Sequence, residues 1–410
     1  MKSFCANILF IFVLVIQHIG ILPAAACTTA IISGKQTQDG RPLLLKQRDS
    51  DKLENKLMYF SDGKYKYVGL VNAADTLGKE VWAGANSRGF AIMNSASYNL
   101  KGTDTTSLKD REGVIMKLAL QSCATIEDFE RLLRDLPRPL GVEANFGVID
   151  ARGGAAYYET NNFDFVKFDA NDPKIAPDGY IIRTNYSYTG DAKKGYGIIR
   201  YQTASQLFEQ AAMCGRLSYK FLLKEVSRSL KQTLTETDLY KKMPLDSAHI
   251  KMVPFRDFIP RYSTAAAIVI QGVKKSEPAS LTTIWTVLGF PLSSVVVPVW
   301  VAGGRALPNI LVADQSERAP LCRMALQLKK RLFPFKRGSG NGYLNLSALL
   351  NKEGNGILQL LDPVEERVIE VTEENLTKWR SEGIIEKETQ AFYRWVDGFI
   401  RKSYQSLFKI

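Results

Sequence analysis

The amino-acid sequence predicts an α+β protein in which helices pack over stacked, mainly antiparallel sheets. Two observations indicate this class: short apolar segments follow one another closely enough to form strand meanders, and amphipathic helical segments occur in runs instead of alternating with every strand. The chain has 410 residues, of which 45% are hydrophobic and 23% are charged. This composition allows a large buried core without support from disulfides or a metal.

The strands are predicted mostly in the first half of the chain. Residues 28–33 and 41–46 form extended segments joined by a turn that contains Asp39-Gly40. Further strands are predicted at residues 64–71, 80–83, 90–95, 145–150, 155–160, 163–168 and 179–184. Later apolar segments, which should be central and covered on both faces, are predicted at residues 264–271, 281–288 and 295–301.

Helical periodicity is predicted at residues 112–122, 198–213, 218–230, 320–332, 347–351 and 387–406. A further helix, at residues 125–136, begins with Thr125 as its cap, and Asp128 three residues later completes the pattern of a capping box. No internal repeat or linker divides the chain. We therefore predict one catalytic domain over residues 27–410, with a helical C-terminal extension.

Residues 1–26 have the organisation of a secretory signal peptide. Lys2 precedes an apolar run at residues 8–16, which is too short to span a bilayer, and Ala24 and Ala26 fit a cleavage site before Cys27. We expect a secreted or periplasmic protein of 410 − 26 = 384 residues that begins at Cys27 and has no transmembrane anchor. Lipidation of Cys27, giving a lipid-anchored protein, is the alternative.

The chain is basic. Its net charge of +12 falls to +11 when Lys2 is removed, and export argues against nucleic acid as the partner of this charge. A polyanionic envelope or anionic substrates fit better. The basic run Lys329, Lys330 and Arg331, followed by Lys336 and Arg337, is predicted to be a solvated helix end.

The rare residue types exclude several chemistries. Of the two histidines, only His249 follows the cleavage site, so a Ser-His-Asp or Cys-His triad would depend on it, and no nucleophile elbow lies near it. A metal site with several imidazole ligands is excluded by the same count, and no cofactor is indicated. Cys123, Cys214 and Cys322 form no C-x-x-C pair, and we expect each to be a buried small apolar residue.

Cleavage before Cys27 would create an N-terminal nucleophile, in which the free α-amine acts as the base for the thiol of the same residue. The two groups are well matched, because an α-amine has a pKa of about 7.7–8.0 and a thiol one of about 8.5. If Gly34 pairs with Arg41, paired residue numbers sum to 75 and Arg48 lies opposite Cys27. The Arg48 guanidinium would stabilise the thiolate, and Asp51 just beyond it would hold the amine.

These residues carry a family resemblance. Cys27-Thr-Thr-Ala-Ile-Ile followed by Arg48-x-x-Asp51 resembles the linear-amide hydrolases of the N-terminal nucleophile superfamily: choloylglycine hydrolases, penicillin V acylases and isopenicillin-N acyltransferase-like enzymes. The resemblance spans roughly residues 27–305. Its further motifs are Gly84-Ala-Asn-Ser-Arg-Gly-Phe-Ala-Ile-Met-Asn94, Asn145-Phe-Gly-Val-Ile-Asp, Arg183-Thr-Asn185 and Arg261-Tyr-Ser-Thr-Ala.

The resemblance implies a four-layer αββα sandwich and a set of catalytic residues. In that set Cys27 is the nucleophile and, through its amine, the base. Arg48 would tune the thiol, and Asp51 would orient the amine. The backbone N–H of Asn94 and the side chain of Asn185 would bind the oxyanion. Arg261 would be a second active-site arginine. Arg256 lies in the same segment and is an alternative to Arg261.

The sequence therefore predicts an exported amidohydrolase that transfers an acyl group from a small-molecule N-acyl amide to Cys27 and then to water. Two alternatives stay open: transfer of the acyl group to an amine, and a lipoprotein binding module lipidated on Cys27. Bile-salt conjugates, penicillin V, N-acyl amino acids and N-acyl lactones all remain candidate substrates. No family role is recognised for the stretch after Pro308, and the sequence is compatible with a homo-oligomer.

Overall fold

The computed structural model describes residues 27–410, so the predicted signal peptide lies outside the described residues. The described strands are, in chain order, β1 (Thr28–Ile32), β2 (Leu43–Asp49), β3 (Asn55–Phe60), β4 (Tyr67–Asn72), β5 (Ala83–Asn86), β6 (Ala91–Ala96), β7 (Ala144–Ile149), β8 (Ala155–Thr160), β9 (Phe165–Asp169), β10 (Tyr180–Arg183), β11 (Lys231–Gln232), β12 (Thr237–Asp238), β13 (Met252–Pro254), β14 (Thr264–Gln271), β15 (Thr283–Leu288), β16 (Val297–Val299) and β17 (Tyr343–Asn345).

Two large antiparallel sheets form the centre of the fold. The first has the strand order β10-β1-β2-β14-β15-β16, and the second is a meander of seven consecutive strands, β3 to β9. The sheets face each other, since β1 and β2 contact β6 and β7. The apolar strands β14 and β15 are buried throughout, as the sequence predicts for covered strands.

Helices cover the outer face of each sheet. They are α1 (Glu112–Ser122), α2 (Ile126–Asp135), α3 (Ile198–Met213), α4 (Pro320–Leu332), α5 (Leu346–Leu349), α6 (Ile357–Glu382) and α7 (Glu386–Phe408). Helix α1 contacts β5 and β6 of the second sheet, whereas α3 contacts β10 and α4 contacts β15 of the first. This arrangement is the four-layer αββα sandwich that the resemblance implies.

Local sequence signals account for several element boundaries. Thr125 accepts a hydrogen bond from the backbone N–H of Asp128, whose carboxylate in turn accepts from the N–H of Thr125, so the predicted capping box of α2 is present. The segment predicted as a helix over residues 218–230 is instead a π-helix at Phe221–Val226.

The sequence analysis did not predict six of these elements: helix α6 and strands β3, β11, β12, β13 and β17. Helix α6 contains Pro363, which has no backbone N–H to donate and argues against a helix interior; here it is the seventh residue of a 26-residue helix. Strand β3 begins with two polar residues, Asn55 and Lys56, that are buried because distant groups bond their side chains. Among residues 27–410, no helix is long and apolar enough to cross a membrane.

Candidate active site

Cys27 lies directly before β1, at one end of the first sheet. In the observed register Thr28 pairs with Gln47 and Thr29 with Lys46, so paired numbers sum to 75 and Arg48 lies opposite Cys27, as predicted. The side chain of Cys27 is 6% exposed, and its sulfur lies 4.0 Å from the backbone oxygen of Asp49. The hairpin thus brings both residues to the end of the space between the sheets.

Arg48 is buried and held from the neighbouring strands of the second sheet. Its guanidinium donates to the side-chain oxygens of Asn55 and Asn72, each at 2.9 Å, and lies 5.0 Å from the centre of the Trp82 ring. Burial lowers its pKa to about 10, and the charge of Cys27 acts in the opposite direction. Arg48 therefore remains a cation at neutral pH, fixed in place beside the thiol.

The structure does not bring Asp51 into contact with Cys27. Strand β2 ends at Asp49, so Asp51 turns into solvent, where its carboxylate is 61% exposed and lies 3.3 Å from the Lys52 ammonium. Asp49 is the buried carboxylate at this strand end. It accepts hydrogen bonds of 2.6 Å from Arg261 and from Thr264.

A β-bulge places these two partners of Asp49. In the pairing of β14 with β2 the register shifts between Thr264 and Ala266, and such a bulge re-aims side chains next to it. Burial alone would lower the pKa of Arg261, but the charge and hydrogen bond of Asp49 raise it above its ordinary value. The alternative, Arg256, is exposed and lies against Gly342, so Arg261 is the one of these two arginines that contacts Asp49.

The two asparagines implied by the resemblance are both buried. The carboxamide of Asn185 donates to the backbone oxygen of Ala96 at 2.7 Å. Asn94 is on β6, and both its backbone oxygen and its side-chain oxygen accept from the Lys46 ammonium, at 2.8 and 2.5 Å. Both asparagines therefore lie close to the space between the sheets that Cys27 enters.

Arg200 is a site residue that the sequence analysis missed. Its guanidinium donates to the backbone oxygen of Cys27 at 2.7 Å, to the Thr28 hydroxyl at 2.8 Å and to the side-chain oxygen of Asn185 at 3.0 Å. It thus links Cys27 and Thr28 to Asn185. One sequence signal could have found it: Arg200 shares the buried face of α3 with Ala204 at helical spacing, where a charged residue is unexpected.

Helix α4 reaches the site through Lys329, which was predicted to be solvated but is buried. Its ammonium donates to the backbone oxygen of Tyr262 and lies 4.3 Å from the centre of the Tyr262 ring. Burial lowers the pKa of Lys329 to about 7, and the charge of Asp49 opposes that shift. The C-terminal extension therefore supports the loop that carries Arg261.

The other rare residues lie on the outside or in the core. The His249 side chain is 90% exposed and contacts Asp246 at 3.0 Å. Cys123 and Cys322 are buried as expected, but the expectation is wrong for Cys214, which is exposed because it follows the last turn of α3.

Comparison with known proteins agrees with the fold and the motifs. Residues 36–234 match the model of the family described as acyl-coenzyme A:6-aminopenicillanic acid acyl-transferase. This match, which covers just under half of the chain, confirms the resemblance to the N-terminal nucleophile superfamily. The matched range begins after Cys27 and includes Arg48, Asn94, Asn185 and Arg200. No curated protein matches the chain.

Three solved structures are similar to the chain. An N-acylethanolamine-hydrolyzing acid amidase ortholog of Caenorhabditis elegans is 17% identical, with a TM-score of 0.40 over 50% of this chain and 86% of that chain. A penicillin V acylase from Agrobacterium tumefaciens is 14% identical, with a TM-score of 0.39 over 67% and 86%. A variant of the conjugated bile acid hydrolase from Clostridium perfringens is 11% identical, with a TM-score of 0.39 over 67% and 92%.

The two neighbouring aspartates provide a matched test of the site. Replacement of Asp49 by asparagine should destabilise the protein by about 1–3 kcal/mol, because buried donors on Arg261 and Thr264 lose a charged acceptor. Replacement of Asp51 by asparagine should change stability by less than about 0.5 kcal/mol, as at other exposed positions. Urea unfolding measures both. If Asp51→Asn loses more stability or more amide turnover than Asp49→Asn, Asp51 and not Asp49 is the aspartate of the site.

Proposed function

We propose that this protein is an exported cysteine amidohydrolase that cleaves a linear amide through an acyl-enzyme on Cys27. The observation that carries the proposal is the charge around that residue. Four cationic side chains act electrostatically on the Cys27 sulfur: those of Lys46, Arg48, Arg200 and Arg261. Reactive and catalytic cysteines are typically found in electropositive surroundings of this kind.

In the proposed reaction the free α-amine of Cys27 takes the thiol proton, and the thiolate attacks the carbonyl carbon of the amide. The carbonyl oxygen becomes an oxyanion, bound by the N–H of Asn94 and the carboxamide of Asn185. The protonated amine then gives its proton to the leaving nitrogen as the C–N bond breaks. Water, deprotonated by the same amine, attacks the thioester, releases the carboxylic acid and restores the thiol.

Aromatic side chains near the site favour an apolar acyl group. The Tyr98 and Tyr196 rings meet edge to face, with their centres 5.4 Å apart. Burial raises the pKa of Tyr98, and the charge of Cys27 raises it further, which indicates that Tyr98 is close to the nucleophile. Tyr196 is 60% exposed and donates its backbone N–H to Asn185. A substrate that enters beside these rings would place its acyl chain against an apolar surface.

Purified protein that begins at Cys27 tests the proposal when it is supplied with a panel of N-acyl amides. We expect release of free amine and, after acid quenching, a mass increase equal to the acyl group on the peptide that contains Cys27. The matched sample is Cys27→Ala. Equal amine release by both proteins would refute the proposal, and a lipid on Cys27 in the protein exported by its own cells would favour the binding module instead.

Acyl transfer to an amine is a second candidate, and the description of the matching family favours it. The same acyl-enzyme serves both reactions, and they differ in whether water or an amine attacks the thioester. Increasing concentrations of an added amine should divert product from acid to amide if transfer is the activity. If the yield of acid does not change with amine concentration, hydrolysis is the only one of the two activities that the experiment supports.

A further inference from the structure

Lys46 is a buried lysine whose ammonium binds two oxygens of one residue. Its side chain is 1% exposed, and its contacts with the backbone oxygen and side-chain oxygen of Asn94 join β2 of the first sheet to β6 of the second. Two hydrogen bonds to one residue hold its carboxamide and the peptide plane that follows it, and they restrict the backbone rotation that also turns its N–H. The family motifs assign no role to this lysine, and the proposed function uses it only as one of four cations near the Cys27 sulfur.

Strand pairing shows which way the backbone of Asn94 points. The N–H of Ser97 donates to the oxygen of Glu143 on the β7 side, and Asn94 lies opposite Phe146 in the same register. Because bonded pairs alternate along an antiparallel ladder, Asn94 is at a non-bonded position toward β7. Its N–H and its C=O therefore both face the opposite edge, toward β5.

At that edge the paired region of β5 ends one residue before Asn94, with Ala83 opposite Met93. The carbonyl of Asn94 accepts from Lys46 instead of continuing the ladder. The N–H of Asn94 leaves the strand on this same edge. The lysine is thus placed to set the direction of the N–H that the proposed reaction uses for the oxyanion.

The charges around Lys46 come from its own strand and from two other segments of the chain. Burial lowers the pKa of Lys46 to about 8; Arg48 on the same strand acts in the same direction, whereas Cys27 before β1 and Glu112 on α1 oppose it. The Trp82 ring lies 5.9 Å from the ammonium. Burial raises the pKa of Glu112 to about 7. At neutral pH, Lys46 is therefore mostly protonated.

We propose that Lys46 is a positioning residue, which fixes the N–H of Asn94 toward the carbonyl under attack at Cys27 and adds a positive charge beside the oxyanion. This rests on the proposed function. The required ammonium leads to a pH dependence with a definite sign. Lys46 is protonated below its pKa, so its contribution is present at neutral pH and is lost as the pH rises through about 8.

Two reagents separate this role from a general effect on the thiol. Attack on p-nitrophenyl acetate forms an oxyanion, whereas alkylation by iodoacetamide displaces iodide and forms none. Both need the thiolate, so the ratio of the two Cys27 rates cancels the thiolate fraction. Each rate is measured as a single turnover with the Cys27→Ala background subtracted, and neither requires the natural amide substrate.

We expect Lys46→Met to lower the ratio of acylation to alkylation about tenfold to a hundredfold, less than the ~10²–10³ lost with a direct oxyanion donor. The matched control is Lys56→Met, because Lys56 is also buried and donates to a backbone oxygen, that of Ala73, but on β3. It should leave the ratio unchanged. Each replacement leaves a buried backbone oxygen without its donor, so both variants should lose some stability, and urea unfolding of the two variants checks that both are folded.

If Lys46→Met does not fold, the unmodified protein gives a second measurement. Its ratio of acylation rate to alkylation rate should fall as the pH rises above about 8. A ratio independent of pH, or a Lys46→Met variant that slows both reagents equally, would overturn the proposal. Normal acylation with no turnover of any amide would refute the proposed function and leave the role of Lys46 intact. Absence of Cys27 reaction with either reagent would refute both.

Discussion

Replacement of Cys27 by serine should leave a folded protein that turns over amides at least hundreds-fold more slowly, because a hydroxyl is a much weaker nucleophile than a thiolate at neutral pH. The fold should persist because β1 is held by backbone pairing to β2 and β10, and the Cys27 sulfur has only a 4.0 Å contact with a backbone oxygen. Steady-state amine release and urea unfolding measure the two effects.

Cys214→Ser provides the control for this experiment. It removes a thiol that is exposed at the end of α3 and should change neither rate nor stability. Equal turnover by Cys27→Ser and the unmodified protein would exclude Cys27 as the nucleophile. A loss of both activity and fold would indicate that the side chain of Cys27 has a structural role.

The β1–β2 pairing could be predicted from sequence because its determinants are local. A short turn around Asp39-Gly40 fixes the register, and the strand residues nearest to it on each side, 30–32 and 43–45, are apolar. That register alone places Arg48 opposite Cys27. The covered strands β14 and β15 were predictable for a similar reason, since a continuous apolar run indicates burial on both faces.

The choice between two aspartates depended instead on distant parts of the chain. Asp49 belongs to the site because β14, more than two hundred residues later, pairs with the end of β2 and brings Thr264 and Arg261 to its carboxylate. The motif spacing pointed to Asp51, and nothing within the hairpin shows where pairing stops. The end of a strand is decided by its neighbour, so it is the feature that a sequence predicts least well.

Buried cations were missed for the same physical reason. Lys329 was predicted to be solvated, and neither Arg200 nor Lys46 was singled out, since a charge is rarely buried without partners. Their partners are backbone and side-chain oxygens supplied by other elements, as when Arg200 binds the carbonyl of Cys27 across 173 positions of the chain. Only tertiary packing identifies them.

Addition of one residue before Cys27 should reduce amide turnover by about 10²–10⁴-fold, the usual contribution of a positioned general base. The α-amine then becomes an amide nitrogen, which accepts no proton, while the thiol and its cationic neighbours remain. His249 cannot replace it, because that side chain is 90% exposed and bonded to Asp246. Amine release by the extended protein, with its intact mass confirmed, is the measurement.

The extended protein also separates the base from the nucleophile. Alkylation of Cys27 by iodoacetamide should continue, because Arg48 and Arg200 still act on the sulfur. Removal of the added residue with a specific protease should then restore turnover in the same sample, which excludes misfolding as the cause of the loss. Turnover of amides at the full rate by the uncleaved form would show that the α-amine is not the base, and that a side chain near Cys27 accepts the thiol proton instead.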